Sequence, residues 1–147
     1  MKRILFIDVR NATRSQIAEA WLNQLGEQWA QARSCGTMPA IRIDGRAVEV
    51  MREVGIDIHT KFPKSISQQR MNWADIVIVF GTGIYPRAMA PTQVWDLDDS
   101  IGKPVDQVRV LRDEIRKRVE ALMVDIQRDE WEAIRMNPLV APYLQEI

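Results

Sequence analysis

The chain is short of thiols, of imidazoles and of net charge, and each shortage removes a class of function. One cysteine, Cys35, has no internal partner for a disulfide. With a single histidine, His59, it leaves too few soft ligands for a zinc or iron–sulfur centre, so no metal and no other cofactor is expected. Twenty basic and twenty acidic residues balance. The surplus of Lys and Arg on which non-specific nucleic-acid binding depends is therefore missing. The apolar run at residues 4–7 is far too short for a signal peptide or a membrane span. These readings predict a cytoplasmic protein with neither a nucleic-acid nor a membrane partner.

What is present is an ordinary globular composition, 46% hydrophobic and 27% charged over 147 residues, with no repeat and no linker. That length suits one domain with a core large enough to stand alone. Residues 1–128 are predicted to form it, and residues 129–147, with Pro138 and Pro142, a C-terminal tail of unknown packing.

Residues 3–7 and 74–80 read as strands buried on both faces, the second nearly continuous and β-branched. Residues 30–35 and 93–97 read as two further strands. Between them lie helical patterns. One starts near Ser15 with Ile17, Ala18, Trp21, Leu22 and Leu25 at three-and-four spacing, and a second follows the N-cap candidate Asp44. A long third opens at Pro104 and carries Val105, Val108, Leu111, Ile115, Val119, Leu122 and Ile126. Residues 56–67, interrupted by Pro63, read as irregular. Strands alternating with helices predict an α/β fold with a parallel sheet, whose ligands bind at the carboxyl ends of the strands.

One such end is the stretch Asp8-Val9-Arg10-Asn11-Ala12-Thr13-Arg14-Ser15, a short polar loop between strand and helix. Loop N–H groups and the helix dipole converge there on an anion, and Arg14 adds a two-pronged donor for tetrahedral oxyanions. The plainer reading is a structural turn in which Asp8 caps the helix or pairs with Arg14. A second strand end carries the acidic cluster Asp96, Asp98 and Asp99.

An acceptor, five loop residues and then Arg-Ser resembles the Cys-x5-Arg-Ser phosphate loop of the low-molecular-weight protein tyrosine phosphatases and their relatives, the thiol-dependent arsenate reductases. The likeness extends along the chain. Ser15-Gln16-Ile17-Ala18-Glu19-Ala20 is similar to the family helix start, Arg33-Ser34-Cys35-Gly36-Thr37 to Ser-Ala-Gly-Thr, and Trp95-Asp96-Leu97-Asp98-Asp99-Ser100 to Trp-x-Leu-x-Asp-Pro. Residues 47–58 and Pro63-Lys64-Ser65 resemble the arsenate reductase branch. The resemblance implies a three-layer sandwich around a four-stranded parallel sheet in the order 2-1-3-4. It also implies an oxyanion loop of Val9, Arg10, Asn11, Ala12, Thr13, Arg14 and Ser15, with Arg14 as clamp and Asp99 as general acid. Asp8 stands where the family has its nucleophilic cysteine, and Ser100 where it has proline. The region of the family's resolving cysteines holds Thr82, Tyr85 and Met89.

A carboxylate cannot supply the electrons that arsenate reduction takes from thiolates. As a phosphoryl acceptor it normally works with Mg²⁺ and a second carboxylate, and the residue two after Asp8 is Arg10. Three readings follow. The chain binds an oxyanion or phosphorylated partner with impaired turnover, or is a phosphatase using Asp8 and Asp99, or is a protein-binding module whose loop, closed by an Asp8–Arg14 pair, takes no anion. Cys35 is expected to pack as a small hydrophobe, His59 to lie on a surface loop, and the five tryptophans to pack in the core or at its edge. Tyr85 is a candidate for a pocket wall.

Overall fold

The computed structural model of the chain describes residues 1–81, 88–139 and 142. Four strands, β1 (Lys2–Asp8), β2 (Ala30–Gly36), β3 (Ile76–Phe80) and β4 (Thr92–Trp95), form one sheet in the order β2-β1-β3-β4. Every pairing is parallel, so the expected topology is the one observed. The helices are α1 (Arg14–Leu25), α2 (Gly45–Glu53), α3 (Gln68–Trp73) and α4 (Val105–Met136).

The period of the central strand explains the layers. Ile4 and Phe6 face one side, where they join Ile17, Trp21 and Leu22 of α1, Val50 and Met51 of α2, and Val108, Ile115, Val119 and Ile126 of α4. Leu5 and Ile7 face the other, with Cys35, Val77, Val79 and Met71 of α3. All four of residues 4–7 are fully buried, as a strand covered on both faces requires. Beneath the carboxyl edge, Phe6, Phe80 and Trp95 form an aromatic triangle. Its ring centroids lie 6.1, 5.5 and 5.8 Å apart, and Trp95 meets Phe80 edge-on at 89°.

The ends of several elements differ from the sequence expectation for local reasons. β3 starts at Ile76 rather than Ala74, because the Ala74 N–H closes α3 on the Met71 carbonyl. α3 itself has only Met71 and Trp73 as apolar residues, too few for a period to stand out, although Ser67 caps it by accepting from the Arg70 N–H at 3.1 Å. The last strand ends at Trp95, where the Leu97 N–H turns back to the Trp95 carbonyl. Asp44 is the N-cap expected of it, accepting from the Arg46 N–H at 2.9 Å. Residues 56–67 are irregular apart from one bridge between Gly36 and Ser65.

The long helix does not stop near Asp129 but continues to Met136, through the expected start of the tail. Trp21 and Trp95 are in the core as expected, and Trp29 packs against it. Trp131, on the last turns of α4, is instead exposed, because nothing described lies over that part of the helix. Among the described residues no helix is long and apolar enough to cross a membrane.

Phe6 touches both other rings of the triangle and is fully buried. Phe6→Ala is expected to destabilise the fold by about 3–5 kcal/mol, read as a fall in the urea midpoint at unchanged m-value.

Candidate functional site

The carboxyl ends of the parallel strands place four segments side by side. They are the loop after Asp8, Gly36 with the turn behind it, Gly81 with φ +79°, and residues 96–100 after β4. Both stretches singled out in the sequence are therefore on one edge.

Asp8 ends β1 and is 2% exposed. Its Oδ1 accepts the Asn11 N–H at 2.6 Å and its Oδ2 the Ser15 N–H at 3.0 Å. The side chain thus caps the start of α1 from seven residues upstream, while Thr13 at the N-cap position makes no side-chain cap. Burial pushes the Asp8 carboxyl above its ordinary value. The hydrogen bonds from Ser15 and Asn11 and the charge of Arg14 pull the other way without offsetting it.

Asn11 takes the left-handed conformation, φ +50°, which Asn tolerates better than most residues. Its amide is spent holding that shape. Nδ2 donates to Ser15 Oγ at 2.7 Å, and Oδ1 accepts the Lys64 N–H at 2.9 Å. Gln16 Nε2 braces the same turn from the Asn11 carbonyl to that of Phe62. On the β2 side, the Thr37, Met38 and Ala40 N–H groups donate to the Asp8, Val9 and Arg10 carbonyls. Gly36 is needed for this approach, since a Cβ there would sit 2.6 Å from the Val9 oxygen. On the α2 side, Thr13 Oγ1 donates to Asp44 at 2.8 Å, and the Asp44 N–H donates to the Ala12 carbonyl.

With its carbonyls tied down on both sides, the loop keeps most of its N–H groups unspent. Those of Val9, Arg10, Ala12, Thr13 and Arg14 find no acceptor among the described residues, although Ala12, Thr13 and Arg14 are buried. Buried donors of this kind are costly when left unpaired.

Arg14 is 6% exposed and does not pair with Asp8. Its Nη1 donates to the Leu97 carbonyl at 2.8 Å, its Nη2 lies 3.7 Å from Asp99 Oδ2, and its guanidinium sits 5.8 Å from the centre of the Phe80 ring. The Asp8–Arg14 pair required by the third reading is not formed, and Arg14 instead bridges the mouth to the segment after β4. Both Asp8 oxygens accept from backbone donors. Asp99 is one-third exposed, and its Oδ1 accepts the Ile101 N–H. Arg46 holds this segment in place by donating to Asp44 and to the Ser100 and Lys103 carbonyls. Ser100 is buried, and its hydroxyl finds no partner among the described residues. Asp98 and Asp99 both line a cavity of about 270 Å³, together with Leu97, Leu111 and Glu114.

Sequence reasoning missed Gln16, Lys64 and Arg46. Arg46 follows an N-cap aspartate by two residues, a local signal, whereas the contacts of Gln16 and Lys64 span about fifty positions. Cys35 is fully buried, and burial pushes its thiol up to about 12. His59 lies on an exposed loop and bonds Asp57. Thr82 and Tyr85 fall outside the described residues, and Met89 is exposed. Among the described residues no three His, Cys, Asp or Glu side chains are grouped to hold a metal ion.

The low molecular weight phosphotyrosine protein phosphatase family matches residues 3–132. The chain belongs to this family. Within the phosphatase family its similar relatives include a glutaredoxin arsenate reductase of Synechocystis, 32% identical over 86% of this chain and 99% of that one. Arsenate reductase 2 of Staphylococcus haemolyticus is 35% identical over 82% and 95%. Among solved structures, an arsenate reductase in its phosphate-binding state matches with a TM-score of 0.76 at 31% identity, covering 86% of this chain and 99% of that one. An arginine phosphatase from Geobacillus stearothermophilus shares the fold, with a TM-score of 0.81 at 24% identity over 90% and 97%.

The burial of Cys35 gives a direct test. The thiol is expected to resist an alkylating reagent in the native protein and to react only at the rate of unfolding, measured by mass spectrometry with and without urea.

Proposed function

We propose that this member of the family binds a phosphate-like oxyanion, free or on a phosphorylated partner, without turning it over. In this reading Asp8 stands in the place of the nucleophilic cysteine, Arg14 is the clamp, and Val9 to Ser15 form the cradle. The observation that supports it is the set of loop N–H groups without acceptors among the described residues, those of the buried residues Ala12, Thr13 and Arg14 included. A tetrahedral oxyanion supplies acceptors to several of them at once. Asp8 uses only the donors of Asn11 and Ser15, so it leaves the rest of the cradle for a ligand.

The same geometry argues against chemistry. Transfer of a phosphoryl group would require an Asp8 oxygen to attack phosphorus while the ester oxygen leaves with a proton from Asp99. Both Asp8 oxygens are instead held by backbone N–H groups, and no group of three His, Cys, Asp or Glu side chains is placed to hold a metal ion among the described residues. Reduction of arsenate would require thiolates that end as a disulfide, and the one thiol is buried and protonated.

Sulfate binding measured by calorimetry tests the reading. Wild type is expected to bind with a Kd of about 1 mM or tighter, and Arg14→Ala to lose at least about tenfold. No turnover of an aryl phosphate above background is expected, with or without Mg²⁺. Turnover by wild type that disappears in Asp8→Ala would instead make Asp8 a working nucleophile. A silent wild type beside a tightly binding Asp8→Ala would make the loop closed.

Proton linkage adds a second expectation. The Asp8 carboxyl is already raised by burial, and an anion beside it favours the protonated form further. Binding therefore takes up a proton. Sulfate affinity is expected to rise as pH is lowered toward the raised Asp8 value, and that slope to flatten in Asp8→Ala.

A further inference from the structure

Behind the segment that braces the loop lies a separate cavity of about 440 Å³, lined by Glu19, Arg33, Ser34, Lys61, Lys64 and Arg70 among others. Its cations come from three different parts of the fold: Arg33 from β2, Lys61 and Lys64 from residues 56–67, and Arg70 from α3. They face one carboxylate. Glu19 is 5% exposed, accepts from Ser34 Oγ at 3.2 Å and lies 3.7 Å from Lys61 Nζ, so its charge is already engaged.

The other three cations have no ion-pair partner among the described residues, and each is held by contacts that leave its charge uncompensated. Arg33 stacks on the Trp73 ring at 4.4 Å. Arg70 Nη1 donates to the Ser65 carbonyl, and Lys64 Nζ to the Phe62 carbonyl. The Lys64 ammonium feels this. Burial first, and then Lys61 and Arg70, hold it below its ordinary value, while Glu19 opposes them. Elsewhere the chain pairs its arginines with carboxylates freely, as at Arg109, Arg112, Arg116 and Arg128. Like charges gathered in a partly buried pocket repel one another, and an anion relieves that repulsion.

We propose that this pocket is a second anion site, separate from the Asp8 loop, in which Arg33, Lys64 and Arg70 hold a phosphoryl-type tetrahedral dianion. Arg33 and Arg70 supply planar, multi-pronged donors and Lys64 a point charge, the combination that suits a tetrahedral oxyanion. The width of the cavity leaves room for an organic substituent on one oxygen, so the dianion is either free or carried on a small ester.

The test is an amide NMR titration with inorganic phosphate and, separately, with phosphoserine. It is run on wild type and on Arg14→Ala, which disables the loop site. Saturable shifts are expected at Ser34, Lys64 and Arg70 in both proteins, and the ligand with the lower midpoint identifies the source of the dianion. The midpoint is expected to rise at least about tenfold in Arg70→Gln and in Lys64→Gln. It should stay unchanged in Lys117→Gln, an exposed residue of α4 outside the pocket. Two results overturn the proposal: no saturable shift at those three amides, or equal midpoints in all three Gln variants. Shifts confined to residues 9–15 of wild type would remove this pocket and leave the loop reading standing. Shifts at the pocket alone would do the reverse.

Discussion

The carboxylate of Asp8 joins the end of the central strand to the first turn of α1, and the rest of the edge is built around that join. Its two oxygens are taken by the N–H groups of Asn11 and Ser15, so the five residues between strand and helix have little freedom left. Bonds from backbone donors to a buried carboxylate are strong, and burial of the charge is costly. That the Asp8 carboxyl is raised rather than lowered says that burial wins. Asp8 is therefore anionic only at a cost.

Arginine does the long-range work around this edge. Arg14 reaches from α1 to Leu97 and Asp99, and Arg46 from α2 to Ser100 and Lys103, so the segment after β4 is stitched to both helices. Its chain can be rigid here without the proline that the resemblance leads one to expect at Ser100. Backbone carbonyls accepting from guanidinium groups hold the turn that a fixed φ would otherwise hold.

The strands and the edge that carries the site were legible because they depend on short-range signals, whereas the order of the sheet followed from the family resemblance. Residues 4–7 and 76–80 are apolar runs of strand length, and Asp44 sits where an N-cap belongs; Ser67, which caps α3, lay at the end of a stretch that reads as irregular. The placement of Asp8, Arg14 and Asp99 on one edge could likewise be read from strand ends. The partners of Arg14 could not, because a charge in a sequence does not say which of several carboxylates it will meet. Pairing with Asp8 was the choice within the loop itself, yet both Asp8 oxygens accept from backbone N–H groups and Arg14 meets Asp99. Trp131 misled for a different reason: hydrophobicity predicts burial only where a surface exists to bury it, and the described fold has none there.

The length of α4 has a consequence of its own. Thirty-two helical residues extend about 48 Å, more than the body of a domain this size spans. Its last buried residue is Ile126, so ten further residues, Gln127 to Met136, add hydrogen bonds but almost no covered apolar surface. Short helical stretches without packing are marginal in water. One uninterrupted helix therefore holds two regimes of backbone stability. Amides in the packed part of the helix, up to Ile126, are expected to be the better protected from exchange, and those beyond it to exchange by local fraying.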